Sequence, residues 1–226
     1  MELIERESLT EAAATRIRSA ILAGELQPGE PVRVSDLQNQ MGISHIPIRE
    51  AIRQLEAEGL ILAPPRRTRV VAGVGLDDLT AIYEVRRMIE LPTVRLARKR
   101  ATNENVLAVR DAFAAFERLA EEPQSTEYWQ RHTAFHWSLL EAGSNSWTRR
   151  SLDPLWTGAE RYVRLFVSQY ASPERTMRLH RQLLDAYESG DSETIVEALD
   201  DHFTQTEEVV REGFERQHDA SRLAAG

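Results

Sequence analysis

Four of the six histidines in this 226-residue chain, His132, His136, His180 and His202, have the spacing of metal ligands. His132 and His136 stand four apart, so on a helix they project from one face, and His180 and His202 come from two later segments. Imidazoles converging from three elements can hold a divalent cation through neutral ring nitrogens. The same four residues can equally be ordinary core or surface histidines. A second concentration of chemistry is arginine: the 28 basic residues comprise 27 arginines and one lysine, Lys99, so anions would be gripped mainly by guanidinium forks. Between Ser44 and Ala72 the five arginines Arg49, Arg53, Arg66, Arg67 and Arg69 outnumber three glutamates, although the whole chain carries a net charge of -8. Such a stretch can hold phosphates whatever the overall charge, because affinity depends on the contacting surface.

The composition limits what surrounds these residues. With no cysteine, disulfide scaffolds, thiolate-bound zinc and thiol catalysis are excluded. A chain that is 42% hydrophobic and 28% charged, with 11 Gly and 9 Pro, can bury a sizeable core and is not disordered. The longest apolar runs are short, as at Leu60 to Ala63, and Met1 to Leu9 is charged; neither a membrane span nor a signal peptide is expected, which places the protein in the cytoplasm.

The elements that must position the site follow from periodicity and punctuation. Gly73 and Gly75 interrupt a valine-rich stretch, and everything after it is helical in pattern, which divides the chain into domains at 1–75 and 76–226. In the first, Leu9 to Ala23 reads as a helix with apolar Ala13, Ile17, Ala20 and Ile21, and Ser35 to Met41 as a short second helix capped by its serine. A third runs from the N-cap Ser44 to about Glu58, with Pro47 in its first turn. Its buried stripe is Ile48, Ile52 and Leu55, which leaves His45, Arg49 and Arg53 exposed. Leu60 to Ala63 and Thr68 to Ala72 form a hairpin with a Pro64-Pro65-Arg66-Arg67 tip. Six helices follow: Leu76 to Arg100, Glu104 to Glu122, Thr126 to Ala142, Ser146 to Gln169, Pro173 to Glu188 and Glu193 to about Gln217. Short connections make them antiparallel neighbours. The expected fold is mainly α, an N-terminal winged helix-turn-helix with a small β-hairpin followed by an all-α antiparallel bundle.

This order points to DNA. Ser44, His45, Pro47 and Arg49 would enter a major groove, where arginine can bond guanine bidentately. Ser35, Arg53, Arg66, Arg67 and Arg69 would hold phosphates or reach a minor groove. A helical domain binding a protein partner remains the other reading. The run from Ile43 to Ile61, ISHIPIREAIRQLEAEGLI, resembles the recognition helix of GntR-family bacterial transcription regulators. His45 and Thr68 depart from the Arg and Gly usual at those positions.

The second part carries a further resemblance. Tyr83-Glu84-Val85-Arg86-Arg87-Met88-Ile89-Glu90, Phe135-His136, Leu139 to Asn145, His180 to Ala186 with Gly190-Asp191, and finally His202 are similar to the FCD ligand-binding domain of the FadR subfamily. The resemblance implies a divalent metal at His132, His136, His180 and His202, with His132 where metal-binding relatives have Asp. Four neutral imidazoles leave the full charge of the ion in place and lean towards zinc or nickel over oxygen-loving manganese or magnesium. It also implies a small organic-acid effector whose carboxylate meets Arg86, with Arg161 and Arg164 as further candidates, a homodimer, and a double-stranded operator as partner. Two alternatives stay open: a metal-free receptor for an acyl-CoA-like ligand, and a metalloenzyme using Glu141 or Glu160 as base.

Overall fold

The computed structural model describes residues 9–65, 67–123 and 125–224, except the side chains of residue 168 and of 217–224. Contacts divide the described chain into two units: one runs up to Gly75 and includes Pro154–Arg164, and the other comprises Leu76–Asp153 and the residues from Leu165 on. Among the described residues no helix is long and apolar enough to cross a membrane.

In the first unit, α1 (Leu9–Leu22), α2 (Val34–Met41) and α3 (His45–Ala57) precede β1 (Ile61–Leu62) and β2 (Val70–Val71). The three- and four-residue spacing of Ala13, Ile17, Ala20 and Ile21 puts all four on the buried face of α1, and Ile48, Ile52 and Leu55 of α3 meet Ala13, Ile17 and Ile21 in one core. Gly42, at φ 67°, ends α2 in the left-handed conformation while its N–H donates to the Gln38 carbonyl, which tightens the turn into α3. The hairpin pairs Ile61 with Val71 and Leu62 with Val70, antiparallel. Its strands are two residues long, shorter than the sequence suggested, and the second also bonds the stretch before α2: Val32 N–H donates to Arg69 O at 2.8 Å and Gly29 N–H to Val71 O at 3.0 Å.

In this unit one helix start differs from expectation, and another lacks the expected cap bond. α2 begins at Val34, with extended Arg33 as N-cap; Ser35 lies inside the first turn and its hydroxyl donates to Asp36 Oδ1 at 3.0 Å. The ladder bond of Val32 leaves Arg33 as the last extended residue, which moves the start forward. Ser44 does occupy the N-cap of α3, but its hydroxyl makes no capping bond. Pro47 therefore supplies the pre-set φ of that first turn.

The second unit is helical: α4 (Leu76–Arg100), α5 (Asn103–Glu117), α6 (Thr126–Leu140) with a 3-10 turn at Glu141–Gly143, α8 (Ser168–Tyr170), α9 (Pro173–Glu188) and α10 (Ser192–Ala224). α7 (Ser146–Tyr162) contributes Ser146 to Asp153 here and its remainder to the first unit. Instead of one unbroken helix to Gln169, α7 passes into a π-helical turn at Val163–Val167. α5 stops five residues before the expected Glu122, because Leu119 and Ala120 bond to Phe116 O and Glu117 O in three-residue turns. α10 extends past Gln217, and Asp191 caps it by accepting from Thr194 N at 3.0 Å. α9 starts at Pro173 as expected, with Ser172 as its cap, the serine hydroxyl accepting from Arg175 N at 3.2 Å.

α4 packs on α10, and α5 lies against α6 and α9. Tyr83, Phe113, Phe116, Phe135, Tyr187 and Phe203 fill the interior, several edge to face, as in Tyr83–Phe203 with ring centres 5.5 Å apart. Gly143 lets the turn after α6 press onto α4: a Cβ there would run into Thr93 O and stand 2.6 Å from Ala97 N. Because both obstacles are backbone, Gly143→Ala is expected to cost about 1–3 kcal/mol, read as an earlier thermal midpoint with the helical signal otherwise retained.

Candidate functional site

The histidines converge as their spacing implied. His132 and His136 sit one turn apart on α6, His180 comes from α9 and His202 from α10. The donor atoms of His132, His136 and His180 all lie within 4.8 Å of one another. His202 closes the group with its ring centre 4.7 Å from that of His180 and 5.0 Å from that of His136. Phe116, Trp129 and Phe135 wall the cluster, with Phe116 edge-on to both His132 and His180. Trp129 is thus a core residue that borders the site.

One hydrogen bond fixes the chemistry of the set. His180 Nδ1 lies 2.7 Å from the Thr176 carbonyl one turn earlier on α9, so Nδ1 carries the proton and donates it. His180 Nε2 is left with its lone pair facing His136 Nε2, 3.1 Å away. Two nitrogens bound to one tetrahedral zinc at usual bond lengths are separated by about 3.3 Å, so this spacing is already that of a shared ion. His202 Nδ1 is buried and makes no hydrogen bond among the described residues. Burial lowers the proton affinity of all three enclosed rings: His180 falls to about 4, and His136 and His202, further depressed by their neighbouring imidazoles and by Arg86, fall well below the ordinary histidine value. At neutral pH these three rings are therefore unprotonated, as ligands must be. The residues fit a nitrogen-bound divalent ion.

Arg86 lies on the buried face of α4, between the rings of Tyr83 and Phe203 at 4.8 and 4.7 Å. Its Nε donates to Glu90 Oε1 at 2.6 Å, and Glu90 is only 1% exposed. Burial opposes the arginine's charge, but Glu90 and Tyr83 hold its pKa above the ordinary arginine range. The sequence pattern assigned Arg86 to an external carboxylate and missed Glu90, its internal partner four residues on. The i, i+4 spacing was the available signal.

The other arginine candidates sit elsewhere. Arg161 and Arg164 belong to the first unit by contact. Arg161 is buried and donates to Ala72 O and Gly73 O at 3.3 and 3.4 Å, while the Tyr162 hydroxyl accepts from Gly75 N at 3.1 Å; together they fasten the stretch that ends this unit. Arg164 pairs with Glu160 at 2.5 Å, and Glu141 pairs with Arg149 at 3.1 Å. Both carboxylates considered as enzymatic bases are thus occupied by ion pairs.

On α3, His45 and Arg49 are exposed on the side opposite the Ile48, Ile52 and Leu55 stripe, and Ser44 is exposed at its N-terminus. Arg53 shares that exposure and bonds Glu50 at 2.8 Å. Pro47 is buried, so it shapes the helix start and presents no surface to a groove. Ser35, Arg67 and Arg69 are exposed, with Arg69 paired to Glu56, and Arg66 lies outside the described residues. Ile46, which the sequence pattern did not single out, is 63% exposed beside His45. An apolar side chain left in water at the start of a basic helix was the signal for it.

A winged helix-turn-helix and an all-helical ligand-binding bundle, carried on one chain, define the class of DNA-binding transcription regulators. Residues 9–71 match the family described as bacterial regulatory proteins, gntR family, and residues 81–205 match the FCD domain. The chain belongs to the GntR family and carries an FCD effector-binding domain. Among its relatives, the uncharacterized HTH-type transcriptional regulator BphR of Paraburkholderia xenovorans (strain LB400) is 28% identical over 211 residues, 91% of this chain and 86% of that one. A probable D-xylose utilization operon transcriptional repressor of Paenarthrobacter nicotinovorans is 28% identical over 207 residues, 89% of this chain and 90% of that one. In fold, the chain is similar to E. coli McbR/YncC, with a TM-score of 0.77 at 19% identity over 92% of this chain and all (100%) of the other.

Proposed function

We propose that this protein is a cytoplasmic homodimeric regulator that binds a pseudo-palindromic operator and responds to a small carboxylate held beside a divalent metal. The observation that carries the proposal is the convergence of His132, His136 and His180 with His202, in a buried, aromatic-walled site that also feels the charge of Arg86. His132, His136 and His180 would hold the ion, with His202 completing the set, and a nitrogen-only set favours zinc or nickel. The bound ion supplies a positive charge that attracts an anionic effector. Arg86 would orient the effector's carboxylate with its guanidinium, and the aromatic wall excludes water.

On the DNA side, Arg49 would bond guanine or a phosphate in the major groove, with Ser44 and His45 beside it and Ile46 against a thymine methyl. Ser35, Arg53, Arg67 and Arg69 would hold the backbone. An effector that prefers one arrangement of the two halves shifts the population of DNA-competent dimers.

The test begins with an operator selected from randomised duplexes and followed by fluorescence anisotropy at fixed salt. Arg49→Ala is expected to weaken binding about 10- to 100-fold, the loss of one bidentate base contact. Adding a panel of small carboxylates to zinc-loaded protein should change operator affinity about 5- to 150-fold for the cognate acid. Selection of no duplex, or an Arg49→Ala variant that binds as the wild type does, rejects the reading.

A further inference from the structure

The arginines of the first unit divide into two groups. Among the described residues 9–75, Arg16, Arg18, Arg33, Arg53 and Arg69 each pair with a carboxylate, whereas Arg49 and Arg67, both exposed, pair with none. Two of the pairs involve acids of α3 itself. Glu50 accepts from Arg53 at 2.8 Å, and Glu56 accepts from Arg69, the residue before β2. At 100° per residue, Arg49, Arg53 and Glu56 fall within about 60° of one another around α3, and Glu50 lies about 60° beyond Arg53. Both acids thus stand among the cations that would meet a phosphate backbone.

That placement limits what the face can do on ordinary DNA. A duplex that offers no base contact is held almost entirely by cations that neutralise its phosphates. A paired guanidinium brings little net charge to a phosphate, and its carboxylate repels the phosphate even when the pair opens. Of the exposed arginines assigned above to DNA, Arg53 and Arg69 are offset in this way, while Arg49 and Arg67 are not. On an operator, base contacts by α3 fix its depth in the groove, and the phosphates within reach are fixed with it. On other DNA nothing fixes the register, and the chain settles where it meets most phosphates. An acid on the contact face therefore weakens binding to random DNA more than binding to the operator.

We propose that Glu50 and Glu56 are selectivity residues: by offsetting Arg53 and Arg69 they hold down sequence-independent DNA affinity and so widen the gap between the operator and all other DNA. The inference rests on the operator-binding reading above. Its test compares two duplexes of equal length, the selected operator and one of random sequence, by fluorescence anisotropy across a range of salt. Glu50→Gln with Glu56→Gln is expected to raise affinity for the random duplex about 10-fold or more at low salt. The fall of log affinity with log salt should steepen by about 2 per bound copy, as two further phosphates are neutralised. Operator affinity should rise less, so that the ratio of the two falls about 3-fold or more. Glu50→Gln alone, at a half-exposed side chain that leaves the fold untouched, should give about half of the slope change. Glu127→Gln with Glu212→Gln makes the same change of net charge at two exposed carboxylates of the second unit, and should alter neither affinity nor slope.

Random-duplex affinity and salt slope that match the wild type in the Glu50 and Glu56 variants overturn the inference and leave the regulator reading intact, as does a rise that is equal on the two duplexes. A rise reproduced by Glu127→Gln with Glu212→Gln overturns it too, since net charge and not the contact face would then be the cause. Failure of the wild-type protein to select any duplex rejects the regulator reading, and the inference with it.

Discussion

Replacing His136 and His180 together by alanine should remove the metal proposed for the histidine cluster. Elemental analysis of purified protein should fall from about one zinc or nickel per chain to a trace, while the exposed residues proposed for DNA contact on α3 stay untouched. The two Nε2 atoms face each other 3.1 Å apart, so the double variant removes two of the candidate ligands at once. A second variant guards against simple misfolding: His132→Asp keeps a ligand in place but adds a carboxylate, and should move preference towards manganese. A wild-type protein that folds, binds DNA and carries no metal would return the four histidines to a structural role. The pH dependence has a definite sign. His180 titrates near 4 when folded, and His136 and His202 also lie below their ordinary value, so between pH 6.5 and 4 the unfolded chain binds more protons than the folded one. Stability of the metal-free protein therefore declines as pH falls through that window and is fully present above it. A thermal midpoint that rises on acidification from pH 7 to 5 would contradict the burial of these rings.

Glu90→Ala should be the most destabilising single substitution in the bundle. Arg86 is 6% exposed and Glu90 1%, so removing the carboxylate strands a buried guanidinium. Breaking one partner of such a pair costs about 3–5 kcal/mol, which corresponds to a thermal midpoint lower by roughly 10 °C. Replacing both residues with apolar ones of similar size, Arg86→Met with Glu90→Leu, should recover most of that loss, because the desolvation cost disappears with the charges. The double variant would fold but, if the proposed function holds, lose any response to a carboxylate. A Glu90→Ala midpoint within about 2 °C of the wild type would show that water or another group already compensates Arg86.

The parts that were legible in the sequence are those governed by local periodicity. Ile48, Ile52 and Leu55 announce the buried side of α3 and so leave His45 and Arg49 exposed; four-residue spacing alone puts His132 and His136 on one face. What could not be read depends on contacts far apart in the chain. Ser35 looks like a cap, but the helix start is moved by Val32 pairing with Arg69, 37 positions later. Arg161 looks like a solvent-facing or effector-binding residue, yet the carbonyls of Ala72 and Gly73 claim it. Arg86 has the chemistry for carboxylates; that one is already supplied by Glu90 depends on how deeply α4 is buried, which spacing alone does not encode.

The anchoring of His180 has a consequence for how the site can drift. Its Nδ1 proton goes to the main-chain oxygen of Thr176, an atom that every amino acid carries. No side-chain replacement at position 176 can take that acceptor away, provided the turn of α9 stays helical. Arg86, in contrast, is anchored by the side chain of Glu90, which a single codon change can delete. Mutation can therefore readily change the surroundings of the Arg86 guanidinium, while the His180 imidazole keeps its aim at His136.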